Sequence, residues 1–378
     1  MEHEPKPLPE SDRVPITALS RLFDHVSTSY KFLFFLAFLE ACERRLFASP
    51  MELTVQEILV DMLVLAWYPH VYFKLSFGWQ DKVARELDSL PTQAFAGIKF
   101  SVREKDQLRE CIRSSSSARS LVRFVPFRLI RPFLPELPAD NRDHPVNWLI
   151  KEASAEYFTD RKPLYKISAD EKILTVHPDW LYYLAQNIAV VRAWASWHYL
   201  QYMQKQNPMV PSLASKLFPP LHRESLQRQI SYWSAIAQNS EVRCIYSDQP
   251  IEPGSFDLDH FLPWSYVVHD ELWNLIPVIR DANNAKRDRL PDEQYIPKFV
   301  STQQRGLSLA RELLPKRQWN EQAGIYEMRL NVSGDDWLRS ERFELAYVEL
   351  LTTQLRIAHL NGFESGWRFR EPDIPASC

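Results

Sequence analysis

Glycine scarcity constrains this chain more than any other feature. Only 8 of its 378 residues are Gly, while Trp, Tyr and Phe together make up 13%. Tight hairpin turns need residues that tolerate positive φ, so a chain this poor in glycine has few low-cost ways to reverse a strand. Large aromatics at this density favour packing between helices. The expected fold class is mainly α with a small α+β module, with helical domains flanking that module.

Other bulk properties narrow the class. Hydrophobic residues at 45% and charged residues at 25% are ordinary for a soluble globular protein. The length suits two or three packed units, or one large domain with a module set into it. The cysteines, Cys42, Cys111, Cys244 and Cys378, form no C-x-x-C pair and no disulfide framework, which fits a reducing, cytoplasmic setting. The first residues are charged and proline-rich, unlike a signal peptide. The apolar run from Phe32 to Phe38 is too short to span a bilayer and reads as a buried core helix, so no membrane partner is expected.

Along the chain, residues 1–14 read as a flexible arm and 15–150 as a helical region. Ser27, Thr28 and Ser29 are N-cap candidates for one helix, and Thr54 with Glu57 forms a capping-box pattern for the next, which Pro69 ends. Residues 151–239 hold a short hairpin, Tyr165 to Ser168 and Ile173 to Val176. A long helix from Pro178 to about Lys205 and a second over roughly 224–237 complete that block. A module occupies 240–300. The C-terminal region, 301–378, carries helices near 303–314 and 336–360.

The module holds the chemistry, in DLDHFLPWSYVVHDELWNLIPVIRDANNAKRDRLP, residues 257–291. Asp257 and Asp259 alternate with Phe256 and Leu258 in a half-buried strand that ends at His260. A loop follows. Asn274 opens a second apolar strand, 275–279, and Asp281 caps a short helix over 282–289. Asn283, Lys286 and Arg287 stand at i, i+3 and i+4 and share a helix face. Phosphodiester hydrolysis needs a base that works near neutrality, which the imidazole of His260 can supply. Asp259 and Asn283 are hard oxygen donors of the kind Mg²⁺ prefers, with Mn²⁺ an acceptable substitute. Lys286 or Arg287 can meet a phosphate.

This segment resembles the HNH, or ββα-metal, endonucleases, and is especially similar to the HNH domain of CRISPR RNA-guided nucleases. The resemblance covers about 35 residues and implies a strand–strand–helix nuclease fold. It implies that His260 is the general base, that Asn274 braces the loop and orients the histidine, and that one divalent ion sits between Asp259 and Asn283. A lysine matching Lys286 follows three residues later. The product implied is a 5′-phosphate. Family position favours Asn283 over its neighbour Asn284, and places His269 in the intervening loop as an exposed residue and not as a ligand. Many relatives carry a C-x-x-C zinc pair before the first strand. Here Cys244 is followed by Ile245, Tyr246 and Ser247, so no structural zinc is expected.

The substrate expected is DNA, in double-stranded form, in a restriction, mobile-element or antiviral defence context. The alternative is a nucleic-acid-binding nuclease subunit of a larger defence or CRISPR-type complex, inactive without its protein partner. RNA cleavage is a third reading. Residues 241–300 carry eleven acidic and six basic side chains, so the module attracts phosphate poorly. Residues 99–131 carry nine basic side chains against three acidic ones and are the candidate DNA-binding surface, with Arg113, Arg119 and Arg123 at its centre and Arg287 beside the motif. Replacing Arg113, Arg119 and Arg123 together by Ala should weaken DNA binding and flatten its salt dependence; a binding titration at several salt concentrations that shows no change rejects that surface.

Overall fold

The computed structural model describes residues 8–24, 26–90, 102–114, 124–135, 143–218, 224–332, 337–339 and 341–370. Among these the protein is mainly α, with small antiparallel sheets, as composition predicts. The chain divides into two compact units. Met1–Pro208 with Lys216–Leu221 forms the first, and Met209–Ser215 with His222–Cys378 the second. The block expected over 151–239 is thereby divided, its hairpin and long helix in the first unit and its second helix in the other.

The first unit is built from α1 (Tyr30–Arg44), β1 (Met51–Thr54), α2 (Val55–Trp67), α3 (Val102–Ser114), α4 (Asp143–Glu156), β2 (Tyr165–Ile167), β3 (Ile173–Val176) and α5 (Pro178–Gln206). Apolar residues surround α1 on most sides, and Phe32, Leu33, Phe34, Phe35 and Phe38 are all buried, so it is the core helix its sequence predicts. Ser29 takes the N-cap position without a side-chain cap bond; its backbone N–H donates instead to Asp81 Oδ2 at 2.7 Å. The Thr54–Glu57 capping box forms in both directions at the start of α2. That helix stops at Trp67, and Pro69 lies within the π turn, Tyr68–Tyr72, that follows. The predicted hairpin forms, and β1 adds a third strand in the order β1-β3-β2, with Leu53 and Ile167 both opposite Leu174. Residues 8–14 are docked, which corrects the expectation of a flexible arm there. Leu8 and Val14 are buried, and the Tyr183 hydroxyl donates to the Pro9 carbonyl at 2.8 Å. Residues 1–7 lie outside the described residues.

A buried charge network ties α1, α2 and α3 together. Asp61 on α2, its side chain only 2% exposed, accepts from Arg109 Nε at 2.9 Å and also from Arg44. Arg109 donates further to Glu40 at 2.9 Å and to Asp106 at 2.7 Å. Burial alone would lower the Arg109 pKa, but Asp61 and Glu40 outweigh it and hold the guanidinium above its ordinary value. Arg109 belongs to the basic stretch read from sequence, yet its charge is engaged inside the unit.

The second unit contains α6 (Gln227–Asn239), β4 (Asp257–His260), β5 (Leu275–Val278), α7 (Arg280–Lys286), α8 (Ile296–Leu313), α9 (Lys316–Leu330) and α10 (Glu341–Leu360). Three details differ from expectation. The short helix α7 starts at Arg280, with Ile279 at the N-cap and no side-chain cap from Asp281; it ends at Lys286 because Arg287 adopts φ 55°. Helix α8 begins earlier than predicted, with a proline in its first turn. Pro315 then separates it from α9, which the sequence reading missed. Strands β4 and β5 pair antiparallel, with Asp259 opposite Ile276 and His260 opposite Leu275. All four β5 residues are buried, which explains why that strand reads as a continuous apolar run. Helices pack around this ribbon through Trp233, Phe261, Phe299, Tyr326, Phe343 and Tyr347. Gly306 lets α8 approach α6, since a Cβ there would lie 3.1 Å from the Trp233 ring.

No helix among the described residues is long and apolar enough to cross a membrane. Asp61→Ala should destabilise the first unit by about 3–5 kcal/mol, because it leaves Arg109 without its buried partner; denaturant unfolding measures this, with exposed Glu52→Ala as the neutral control.

Candidate active site

The site is organised around Asn274, which is fully buried. Its Oδ1 accepts from the Leu262 N–H at 2.8 Å, and its Nδ2 donates to the Leu262 carbonyl at 2.8 Å. The Phe261 N–H donates to the Asn274 carbonyl at 2.9 Å. The amide side chain therefore behaves as one more ladder position beyond the His260–Leu275 pair. It fixes the direction in which the chain leaves β4, and with it the backbone that carries His260.

Helix α7 lies along β4 and matches it side chain by side chain. Asn283 Nδ2 donates to Asp257 Oδ2 at 3.2 Å. One helical turn later, Lys286 Nζ donates to Asp259 Oδ1 at 3.0 Å and to the His260 carbonyl at 2.7 Å. The second Asp259 oxygen accepts from the Tyr246 hydroxyl at 2.7 Å. Tyr246 is itself buried edge-on against Tyr295 and Trp367. Burial, reinforced by the Asp259 charge, pushes its hydroxyl pKa well up, so it stays a donor.

His260 Nε2 lies 2.7 Å from Asp270 Oδ1, and both side chains are partly buried. His269 is not the exposed loop residue expected. It is half-buried, its Nδ1 accepts from the Glu271 N–H at 3.3 Å, and its ring packs on Trp273. Burial holds its pKa below the usual imidazole value.

The expected site residues fare differently. Lys286 joins Asp259 to the His260 carbonyl, Asn283 bonds Asp257 on the same strand, and Asn274 braces the chain two residues after His260. Asn284 points outward and is exposed. Lys286 is completely buried, so it cannot meet a phosphate as expected; desolvation is offset by its contacts with Asp259 and the His260 carbonyl. Arg287 is exposed at the end of α7. Arg113, on the first unit, is exposed and paired with Glu110 at 2.9 Å, while Arg119 and Arg123 lie outside the described residues. Sequence reasoning passed over Asp257, Tyr246 and Asp270. Asp257 had a signal, since it shares a strand face with Asp259; Tyr246 sits on a turn and Asp270 in an irregular loop, where no periodicity marks them.

Residues 244–292 match the profile of the HNH endonucleases. This segment belongs to the HNH endonuclease family. The match extends over far less than half the chain and stays at family level; it does not carry the closer likeness to RNA-guided nucleases. Neither the curated proteins nor the solved structures yield a match.

HNH nucleases use divalent metal ions, and the donors of this HNH domain fit one. Asn283 Oδ1 accepts no hydrogen bond among the described residues, while its Nδ2 is tied to Asp257. That fixes the amide with its oxygen available. Asp257 and Asp259 add carboxylate oxygens, giving a hard-oxygen set. No three His, Cys, Asp or Glu side chains converge among the described residues. Cys244 is a buried free thiol, and its turn is closed by backbone bonds from Cys244 N–H to Gln249 and from Asp248 N–H to Cys244. Asn274→Ala leaves the Leu262 N–H and carbonyl buried and unpaired. It should cost the second unit about 2–4 kcal/mol in denaturant unfolding, whereas Asn284→Ala should cost nothing measurable.

Proposed function

We propose that the HNH domain hydrolyses phosphodiester bonds in double-stranded DNA, with His260 as general base. The observation that supports this reading is the pairing of α7 with β4, which sets Asn283 on Asp257 and Lys286 on Asp259 and on the His260 carbonyl. His260 accepts a proton from water as the water oxygen attacks phosphorus. The P–O3′ bond then breaks, leaving a 5′-phosphate and a 3′-hydroxyl once the departing oxygen gains a proton. Asp259 and Asn283, with Asp257 alongside, would hold a single Mg²⁺ or Mn²⁺. When bound, that ion stabilises negative charge on the phosphate as a Lewis acid. Tyr246 and Lys286 aim the Asp259 carboxylate, and Asn274 holds the loop that carries His260. Arg287 and the basic segment around Arg113 would contribute phosphate contacts, offsetting the acidic surplus of the module.

One observation favours a second reading. Each Asp259 oxygen already carries a protein donor, Lys286 on one and Tyr246 on the other. A nuclease subunit that stays silent until a protein partner of a defence complex assembles would rest in such a state. Plasmid incubated with the purified chain and Mg²⁺ or Mn²⁺ separates the two readings. Nicking or linearisation that stops with chelator supports the active enzyme, and inertness supports the silent subunit. Linear duplex, single-stranded DNA and RNA run alongside define the substrate. His260→Ala should lower cleavage by about 10²–10⁴-fold without changing the unfolding curve, and full cleavage by that variant overturns the assignment.

A further inference from the structure

We propose that Asp270 is the positioning residue of the general base, fixing His260 in the Nε2–H tautomer so that Nδ1 presents its lone pair to the attacking water. The inference rests on the nuclease reading of His260 and adds a residue that the motif does not contain. An ionised carboxylate can only accept hydrogen bonds. With Asp270 Oδ1 2.7 Å from Nε2, the proton of a neutral ring must sit on Nε2, and Nδ1 becomes the acceptor. A hydrogen bond on one ring nitrogen thus selects the chemistry of the other.

Nothing else in the surroundings explains the Asp270 carboxylate. It makes no other hydrogen bond or ion pair among the described residues. It caps no helix. Nearby cations are engaged elsewhere, since Arg329 holds Glu271 through both carboxylate oxygens at 2.7 and 2.9 Å, and Lys286 holds Asp259.

The loop that presents Asp270 is clamped from several helices. Gln229 on α6 donates to the Asp270 carbonyl at 2.9 Å. Arg329 on α9 fixes the next residue through Glu271. Gln303 on α8 donates to the carbonyls of Leu272 and Leu275 at 3.2 and 2.8 Å, and Tyr347 on α10 donates to that of Trp273. These bonds hold the carboxylate in place before any substrate arrives, which is the condition for preorganised catalysis. The helical shell of the second unit therefore has a share in aiming the base.

The test combines two readouts. The full chain is labelled with [¹⁵N]histidine, His260 is assigned by comparison with His260→Gln, and its two ring nitrogens are recorded without metal. The wild type should show a protonated Nε2 and an unprotonated Nδ1, and Asp270→Ala should show a mixture of tautomers. In plasmid cleavage, Asp270→Ala should lose about 10–100-fold in kcat at unchanged KM, with Asp270→Glu recovering part of the loss. Asp270→Asn controls for shape, and an unfolding curve for each variant controls for folding. A wild-type His260 protonated on Nδ1, or an Asp270→Ala kcat within twofold of wild type, overturns the proposal. If the wild type cleaves nothing, the reading of the chain by itself as an active nuclease is what fails, and the ring-nitrogen spectra still decide whether Asp270 sets the tautomer.

Discussion

The paired hydrogen bonds between the Asn274 side chain and the Leu262 backbone are the interaction on which the second unit depends. They are fully buried, so water cannot compete for them, and losing them would leave two backbone groups without partners. A two-stranded ribbon is marginal by itself. Here an amide side chain prolongs the ladder and turns the chain sharply at the point where His260 leaves it. Phe261, the next residue, then packs on Phe299 in the helical core. Loop direction and core packing are set in the same two residues.

A second constraint acts across the ribbon. Lys286 is buried against Asp259, an arrangement that is costly unless both charges are well bonded. Lys286 meets this condition through Asp259 and the His260 carbonyl, and Asp259 through Lys286 and Tyr246. Such a network contributes modestly to stability, but it specifies geometry. It registers α7 against β4, and so brings the Asn283 amide beside Asp257. The helices around the ribbon complete the arrangement by gripping the 269–275 segment from α6, α8, α9 and α10.

Much of this was legible in the sequence. Low glycine and high aromatic content point to helices, and helices dominate. The Thr54 capping box, the 165–176 hairpin and the long helix after Pro178 all form. These features are local, and neighbouring residues decide them. The errors fall where neighbours decide little. The strand β1 is four residues long and exists because β3 pairs with it. Helix α9 has a weak apolar stripe and is covered by the unit around it. The arm at 8–14 is largely polar, yet it docks on α5 through Tyr183.

The sequence by itself determined the chemical inventory of the site: a histidine after an aspartate, a bracing asparagine, and an asparagine and a lysine one helical turn apart. Those depend on residue identity and short spacing, which a linear chain displays. The tertiary structure alone decided which groups face one another. It buried Lys286 where an exposed phosphate contact was expected, placed Asp257 against Asn283, set Tyr246 on Asp259 and brought Asp270 to His260. It also drew Arg109 out of the basic stretch and into a buried carboxylate cluster. The physical reason is common to all of these. Burial strengthens a charge's need for a partner, and the partner is chosen by packing among segments that no local pattern connects.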